Sequence, residues 1–148
     1  MRIAVSSDEP YGVNTVVVDE LKKRGHEVVL FGSVATGREE SWVQATVEAV
    51  QAVADGVCDE AVVFCWTGTG ASIAANKVRG IRAALCVDPE TARGARIWNH
   101  ANVLALSNRL LSDDRAKEIV AAWLDTPPGD PKGRAGVDEL MQLDAERH

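Results

Sequence analysis

A strand, a glycine-containing loop and a helix follow one another in residues 61–78, AVVFCWTGTGASIAANKV. The run at 61–65 is apolar throughout, as is typical of a strand that is buried on both faces of a parallel sheet. Gly68 and Gly70 suit a tight turn, and a helix is predicted directly after them. A strand joined to a helix by a short loop is half of a βαβ unit, so this stretch predicts an α/β fold.

The same alternation continues in both directions along the chain. Runs rich in Val, Ile and Leu predict five strands, at Ile3–Val5, Val28–Phe31, Ala61–Cys65, Ala83–Val87 and Val103–Leu106. Helical patterns are interleaved with them, at Thr15–Arg24, Trp42–Ala54, Ala71–Val78, Pro89–Asn99 and Ser112–Leu124. Right-handed crossovers place helices on both faces of a parallel sheet. We therefore predict a doubly wound, Rossmann-like sheet of five parallel strands in a three-layer sandwich.

Length and composition define the class of protein. The chain has 148 residues, 46% of them hydrophobic and 26% charged, which predicts a single globular domain over residues 1–148. Sixteen Lys and Arg against twenty-two Asp and Glu give a net charge of −6. We therefore expect a small-molecule ligand, with no nucleic acid and no membrane as partner. The chain has neither an apolar run of membrane-spanning length nor a signal-peptide pattern, so we expect a cytoplasmic protein.

Residues 126–148 are expected to form a helical arm that follows a core of residues 1–125. The run at 126–131, TPPGDP, ends the preceding helix because proline lacks an amide hydrogen and its ring collides with the previous turn. A final short helix carries an apolar stripe, formed by Val137, Leu140, Met141 and Leu143. Such a helix is not stable alone. It packs either on its own subunit or across a symmetric dimer, and the sequence leaves both open.

Three clusters of small and polar residues are candidates for a ligand site. In open parallel sheets, ligands bind outside the carboxyl ends of the strands. Asp8 and Glu9 follow the first strand, residues 66–72 (WTGTGAS) follow the third, and Trp98 and Asn99 end the fourth long helix. We expect the three clusters to meet in one crevice.

The loop at 66–72 is the most informative of these clusters. Gly68 and Gly70 let the backbone approach an anion, and the following helix begins with free amide groups and the positive end of its dipole. This arrangement predicts a cradle for a phosphate or carboxylate, although a plain turn would use the same glycines. The spacing matches neither a Walker loop nor the dinucleotide-binding fingerprint.

Cys65 ends the third strand directly before this loop. The start of a helix is among the environments that favour a thiolate, so Cys65 is a candidate base, and a small buried hydrophobe is the alternative. Asp8 and Glu9 can hold ligand hydroxyls or pass a proton, or can simply cap the next turn. Cys58 and Cys86 have no such neighbours and are expected to be structural. No cluster has the spacing of metal ligands, so we predict no metal.

Residues 65–86, CWTGTGASIAANKVRGIRAALC, resemble the signature of the ribose-5-phosphate isomerase B family, which includes the galactose-6-phosphate isomerase subunits. Further matches are Asp8, the run RGHEV at 24–28, the run NHANVL at 99–104 and Arg109. The resemblance implies an aldose–ketose isomerase that needs no metal or other cofactor. It also implies a homodimer or a dimer of dimers whose active sites are shared between subunits.

The resemblance assigns roles to individual residues. It implies that Cys65 moves a proton between neighbouring carbons of a sugar through an enediolate, that loop amides hold the oxyanion, and that Thr67 assists. Asp8 or Glu9 would handle the hydroxyl protons. It further implies that Asn99 and Arg109 come from the partner chain. The predicted substrate-binding residues are Trp66, Gly68, Thr69, Gly70, Ser72, Trp98, Asn99, Arg109, Lys132 and Arg134.

The chain departs from the family pattern at several of these positions. Glu9 stands where the family has a histidine, and Trp98 stands where it has the histidine that opens the sugar ring. The tail arginine pair of the family falls near Lys132 and Gly136, with Arg134 between them. A carboxylate repels a phosphate dianion, and lysine lacks the bidentate grip of arginine. We therefore expect a divergent member with at best weak activity on ribose 5-phosphate. An open-chain substrate needs no ring-opening histidine, and a smaller or absent terminal anion tolerates fewer basic residues.

Two other functions stay open. The two missing histidines permit a catalytically silent protein that binds a sugar phosphate. The chain can also be a subunit that needs a paralogue to complete its site. Trp42, Trp66 and Trp98 narrow the crevice or stack on a sugar in the functional interpretation, and serve ordinary packing in the alternative.

Overall fold

The computed structural model describes residues 1–147, so His148, the last residue of the predicted arm, lies outside the described residues. Within this range the strands are β1 (Arg2–Ser7), β2 (Glu27–Phe31), β3 (Glu60–Cys65), β4 (Ala83–Leu85) and β5 (Val103–Ser107). The helices are α1 (Gly12–Lys23), α2 (Gly32–Thr36), α3 (Trp42–Ala54), α4 (Thr69–Ala75), α5 (Pro89–Asn99), α6 (Asp113–Asp125) and α7 (Arg134–Arg147), with a 3-10 turn at Pro131–Gly133 before the last.

All neighbouring strands are parallel, in the order β2-β1-β3-β5-β4. In this register Val5 of β1 lies opposite Leu30 on one side and Val62 on the other. From β1 the chain first moves outward to β2 and then crosses back to β3. The topology therefore switches between β1 and β3, and the carboxyl ends of these two strands form the crevice in which such sheets bind ligands. The doubly wound prediction is confirmed.

Two apolar clusters cover the two faces of the sheet. On one face, residues of α1, α5 and α6 pack against β-strand side chains such as Phe64. On the other face, α3 and α4 pack against the alternate side chains, among them Val63 and Cys65. The three-layer sandwich is thus confirmed. Because side chains alternate along a strand, Cys65 points toward the α3 and α4 layer.

Two elements differ from the prediction. The short helix α2 was not expected; it starts at Gly32, where φ is +60° and a Cβ atom would lie 2.5 Å from the Ser7 carbonyl oxygen. Only glycine fits this close approach. β4 ends at Leu85 rather than at Val87, because Val87 is exposed and Asp88 already caps α5 by accepting from the Thr91 amide at 2.7 Å.

Helix α7 packs on its own chain through one of its faces. Val137 is buried, Arg82 donates to the Met141 sulfur at 3.2 Å, and the Gly80 amide donates to the Asp144 carboxylate. Leu140 and Leu143 remain exposed. One face of α7 therefore packs on its own subunit, as the first of the two alternatives expected. The apolar side chains of Leu140 and Leu143 lie on the exposed part of the helix. The division into core and arm stays a prediction.

A buried ion pair joins β3, α5 and α6 at the amino edge of the sheet. Arg96 is 1% exposed, and its Nη1 lies 2.6 Å from Glu60 Oε2. Trp123 Nε1 donates to the other carboxylate oxygen at 3.0 Å, and its ring lies 4.2 Å from the guanidinium carbon of Arg96. The two charges are thus paired, hydrogen-bonded and shielded from water, so each depends on the other.

Removing one partner of this pair is expected to destabilise the fold strongly. Glu60→Ala leaves the Arg96 charge buried without its carboxylate, which costs about 3–5 kcal/mol in the free energy of unfolding. Urea denaturation at pH 7 measures the loss. Glu118→Ala is the control, since Glu118 forms an exposed pair with Arg115, and its cost is expected to be below about 1 kcal/mol. Equal losses in the two variants would contradict the prediction.

Candidate active site

The sulfur of Cys65 receives two backbone hydrogen bonds at the end of β3. The amides of Gly68 and Ala71 donate to Sγ at 3.2 and 3.4 Å. Cys65 is 6% exposed, whereas Trp66, Thr67 and Thr69 around it are exposed. Amide donors in a sheltered environment stabilise negative charge on the atom that they contact. The local geometry therefore suits a thiolate.

The backbone requires glycine at position 68, and packing favours it at position 70. Gly68 has φ of +80°, and a Cβ atom there would lie 2.5 Å from Leu85 Cδ1 and 3.1 Å from the Leu106 backbone. At Gly70 a Cβ atom would lie 3.0 Å from the Trp42 ring. A tight turn thus accounts for Gly68. The same turn nevertheless directs backbone amides toward Cys65. A structural role of the turn is therefore compatible with the predicted anion-binding role of the loop.

The loop also keeps donors for a ligand. Within residues 1–147, the amides of Thr67, Thr69 and Gly70 have no hydrogen-bond acceptor. The hydroxyls of Thr67 and Thr69 lie 2.7 Å apart. Unpaired amides next to a sheltered sulfur are what stabilisation of a developing oxyanion requires.

Asp8 and Glu9 lie at the carboxyl end of β1, next to β3 in the sheet. Asp8 Oδ1 accepts from the Glu9 amide at 2.9 Å, so the turn-capping role is present. Burial raises the pKa of Asp8; backbone hydrogen bonds oppose this, and the charges of Glu9 and Glu39 add to it. The Asp8 carboxyl therefore takes up a proton at higher pH than an exposed aspartate.

Tyr11 connects this end of β1 with the loop after β3, and the sequence analysis missed it. Its hydroxyl donates to Glu9 Oε2 at 2.8 Å, and its ring centroid lies 5.6 Å from that of Trp66. The signal that could have found it is modest: Tyr11 is the one tyrosine of the chain and stands two residues after Glu9.

A buried network of polar side chains joins the carboxyl ends of β1 and β5. Asn14 Nδ2 donates to Asn108 Oδ1 at 2.9 Å, Asn108 Nδ2 donates to Ser7 Oγ at 3.1 Å, and Ser7 Oγ donates to the Glu9 carbonyl at 2.6 Å. These side chains come from α1, β1 and the segment after β5. The sequence analysis missed Asn14 and Asn108; a polar residue inside the apolar stripe of α1 is the available signal.

Arg109 borders the loop on its own chain. β5 lies beside β3, so the residues after β5 reach the loop directly: the Arg109 amide donates to the Trp66 carbonyl at 3.0 Å. Ser107 Oγ donates to the same carbonyl at 2.9 Å. The Arg109 backbone thus borders the loop of its own chain, and the expectation that Arg109 serves the partner's site stays a prediction.

Trp98 and Asn99 lie at the opposite edge of the sheet. α5 runs antiparallel to the strands, and Arg96, one turn earlier, contacts Glu60 at the start of β3. Trp98 is 59% exposed, its ring lies against Gly94, and with Asn99 it lines an open groove beside β4. The prediction that all three clusters meet in one crevice is wrong for a single chain, because a helix between parallel strands ends where the next strand begins.

Lys132 and Arg134 lie at this same edge. They flank Gly133, where a Cβ atom would lie 2.7 Å from the Ile97 carbonyl oxygen and 2.8 Å from that of Trp98. Both side chains are exposed, and Arg134 lies 3.9 Å from Asp138. The candidate residues thus form two groups, one at each edge of the sheet. Ser72, in α4, belongs to the group around Cys65.

The three cysteines are free thiols in different environments. Burial raises the pKa of Cys86 to about 12 and also raises the pKa of Cys58, so both stay protonated at neutral pH. Within residues 1–147, no group of three or more His, Cys, Asp or Glu is arranged to hold a metal ion. No helix in this range has the length and apolar character needed to cross a membrane.

Comparison with known proteins identifies relatives over nearly the whole chain. The family described as Ribose/Galactose Isomerase matches residues 3–140. D-erythrulose-4-phosphate isomerase of Pectobacterium atrosepticum is 36% identical over 126 residues, which cover 84% of this chain and 83% of that protein. Ribose-5-phosphate isomerase B of Escherichia coli is 36% identical over 132 residues, covering 89% and 88%. The solved structure of ribose-5-phosphate isomerase B from Clostridium thermocellum has a TM-score of 0.92 at 37% identity and covers 100% of both chains.

These relatives bear on the predicted activity as well as on the fold. All three are named as sugar-phosphate isomerases. The predicted enzyme class, an aldose–ketose isomerase, is therefore confirmed, as is the resemblance on which it was based. The chain belongs to the ribose/galactose isomerase family.

Proposed function

We propose that this isomerase works without a cofactor, that Cys65 carries the proton, and that the substrate is an open-chain sugar or sugar phosphate. The observation that supports this most is the pair of amide hydrogen bonds from Gly68 and Ala71 to the Cys65 sulfur. They stabilise the thiolate that a base requires. Further unpaired amides of the same loop are available to the substrate.

The proposed reaction is a proton transfer between neighbouring carbons. The Cys65 thiolate takes the proton from C2 of the aldose, and the electrons of the C–H bond form the C1–C2 double bond of an enediolate. The carbonyl oxygen becomes an oxyanion, to which the amides of Thr67, Thr69 and Gly70 donate. Each donor of this kind is worth about 10²–10³ in kcat. The thiol then returns its proton to C1, which gives the ketose.

The hydroxyl protons need a separate carrier, and Asp8 and Glu9 suit this role. During the reaction a proton must leave one substrate oxygen and reach the other. Both carboxylates follow β1 at the topological switch, next to the strand that ends at Cys65. A carboxyl whose pKa is raised, as that of Asp8 is, can exchange a proton near neutral pH more readily than an ordinary aspartate.

The second group of candidate residues is proposed to serve the site of a partner chain. Trp98, Asn99, Lys132 and Arg134 lie at the sheet edge opposite Cys65, so a symmetric dimer is needed to complete each site. Exposed Leu140 and Leu143 on α7 offer apolar surface for such contact. We propose a homodimer, or a dimer of dimers, with shared active sites.

The substrate is proposed to be short and open-chain. The Pectobacterium relative is named for erythrulose 4-phosphate, a four-carbon sugar with no free hydroxyl in position to close a ring. Glu9 and Trp98 fit such a substrate, since neither an imidazole nor ring opening is then needed. Three free thiols suit a reducing compartment, and we propose a cytoplasmic location on that ground.

Replacing the proposed base tests the mechanism. Cys65→Ala is expected to lower both isomerisation and the exchange of the substrate C2 hydrogen with deuterated water by at least about 10²-fold, because no other group replaces the thiolate. NMR follows the exchange on a panel of tetroses and pentoses, with and without phosphate. Cys58→Ala, a buried cysteine outside the site, is the control and should keep full activity. Persistent exchange in Cys65→Ala would exclude Cys65 as the base.

The ionised Asp8 carboxylate is expected to lower the stability of the folded protein while it supports activity. Its raised pKa means that the folded state binds this proton more tightly than the unfolded state, so its ionisation lowers stability as pH rises from the ordinary value of 3.8 through the folded-state pKa. Asp8→Asn should therefore raise the unfolding temperature at pH 7 and lose that advantage in acid, while losing activity. Thermal unfolding between pH 3 and 7 measures this. A variant that is less stable than wild type at pH 7 would contradict it.

Mixing two inactive variants tests whether the sites are shared. Asn99→Ala and Cys65→Ala each lose every site when alone. In mixed dimers one of the two sites receives both intact residues, so random mixing after refolding should restore about a quarter of wild-type activity. The control mixture combines the Asn108→Ala variant with the Cys65→Ala variant. Because Asn108 and Cys65 lie at the same edge of one chain, no site in a mixed dimer has both residues intact. Equal recovery in both mixtures would count against the proposed partner contribution.

A further inference from the structure

We infer that Tyr11 is a positioning residue that holds the Glu9 carboxylate and the Trp66 ring as one wall of the active site, so that Glu9 accepts a hydrogen bond from a substrate hydroxyl. This inference rests on the proposed function, because it assumes that substrate lies between the loop after β3 and the end of β1. It adds a residue that neither the sequence pattern nor the proposed mechanism includes.

The Tyr11 side chain has a polar contact with Glu9, which follows β1, and an aromatic contact with Trp66, which follows β3. Its hydroxyl donates to Glu9 Oε2 at 2.8 Å, which leaves Oε1 for another donor. Its ring lies 5.6 Å from the Trp66 ring at an interplanar angle of 32°, a tilted aromatic pair. Trp66 is the residue directly after Cys65. A single side chain thus sets the distance between a carboxylate and the loop that holds the sulfur.

The backbone of Tyr11 is itself fixed. Its amide donates to Asn14 Oδ1 at 2.9 Å, and its carbonyl accepts from the Asn14 amide at 3.0 Å. Asn14 also donates to the side chain of Asn108. Both residues are buried, with 2% of Asn14 and 8% of Asn108 exposed. Tyr11 is therefore anchored to β5 through buried hydrogen bonds, while its own side chain is only partly buried.

Trp66 is fixed from the other side. Ser107 Oγ and the Arg109 amide both donate to its carbonyl, at 2.9 and 3.0 Å. With its backbone held and half of its surface exposed, the Trp66 side chain needs a neighbour to define its orientation, and the Tyr11 ring is that neighbour. The backbones of Tyr11 and Trp66 are therefore both held by hydrogen bonds, and the Tyr11 side chain connects Trp66 with Glu9.

The charges around Glu9 favour a hydroxyl over an anion as its ligand. The hydrogen bond to Glu9 raises the pKa of Tyr11 above its ordinary value of 10.0, and burial and the charges of Glu9, Asp8 and Glu39 add to this. The Tyr11 hydroxyl is therefore a donor at neutral pH. Its proton is directed at Glu9, and the carboxylate keeps its remaining lone pairs for donors such as the hydroxyls of an open-chain sugar.

A double-mutant cycle tests whether Tyr11 acts through Glu9. The variants are Tyr11→Phe, which removes only the hydroxyl, Glu9→Gln, and the two combined. The probe is a three-carbon aldonohydroxamate, whose nitrogen takes the place of C1 and which is therefore a neutral analogue of the four-carbon enediolate. It is titrated by calorimetry, with kcat/KM on tetroses as a second readout. Asp19→Asn, an exposed carboxylate on α1, is the control for net charge.

The inference predicts non-additive losses. Tyr11→Phe and Glu9→Gln should each weaken Kd about tenfold, and the combined variant should bind no more weakly than Glu9→Gln within about twofold. Tyr11→Leu, which also removes the ring, should lower kcat beyond the loss in Tyr11→Phe. Unfolding temperatures of Tyr11→Phe and wild type should agree, which a merely structural role would not give.

Other results would overturn the inference. Losses that multiply to about a hundredfold in the combined variant would show that Tyr11 acts independently of Glu9, and unchanged binding in Tyr11→Phe would show that it does not act at all. Either result leaves the proposed function intact if Cys65→Ala still abolishes C2 exchange. A wild-type protein that neither binds the hydroxamate nor exchanges C2 hydrogen on any sugar would instead overturn the proposed function, and this inference with it.

Discussion

The position of one sulfur atom depends on a turn that only glycine can make. At Gly68 the backbone enters the left-handed region and approaches Leu85 and Leu106 so closely that no side chain fits. This approach exists because β3 and β5 are neighbours and β4 closes the sheet beyond them. The same turn brings the Gly68 and Ala71 amides to Cys65. Sheet order, loop conformation and the hydrogen bonds to the sulfur are therefore parts of one constraint.

The chain distributes its polar chemistry over both edges of the sheet. The carboxyl edge holds Cys65 and the two carboxylates, tied together by the hydrogen bonds between Ser7, Asn14 and Asn108. The amino edge holds Trp98 and the residues around it, above the buried ion pair that anchors the end of α5. Within one chain the sheet therefore separates the two groups.

The sequence predicted most of what apolar patterning controls. All five strands were located, because buried parallel strands are continuous apolar runs, and one of these strands ends at Cys65. Trp98 does not join the other two clusters within one chain, because helix direction, not chain order, decides which edge a residue occupies. Asn108 was missed because its role comes from a contact between distant segments, 94 residues apart for Asn14 and Asn108. Tyr11 lies two residues from Glu9, but the Trp66 ring that it also contacts belongs to a distant segment. No local spacing encodes such contacts.

The separation of the two edges has an evolutionary consequence. Under the proposed sharing of sites between subunits, a gene duplication lets one copy lose the loop after Cys65 and the other lose Trp98 and Asn99, because a mixed pair still retains one complete catalytic centre. Selection can then maintain two unequal polypeptides where one sufficed before.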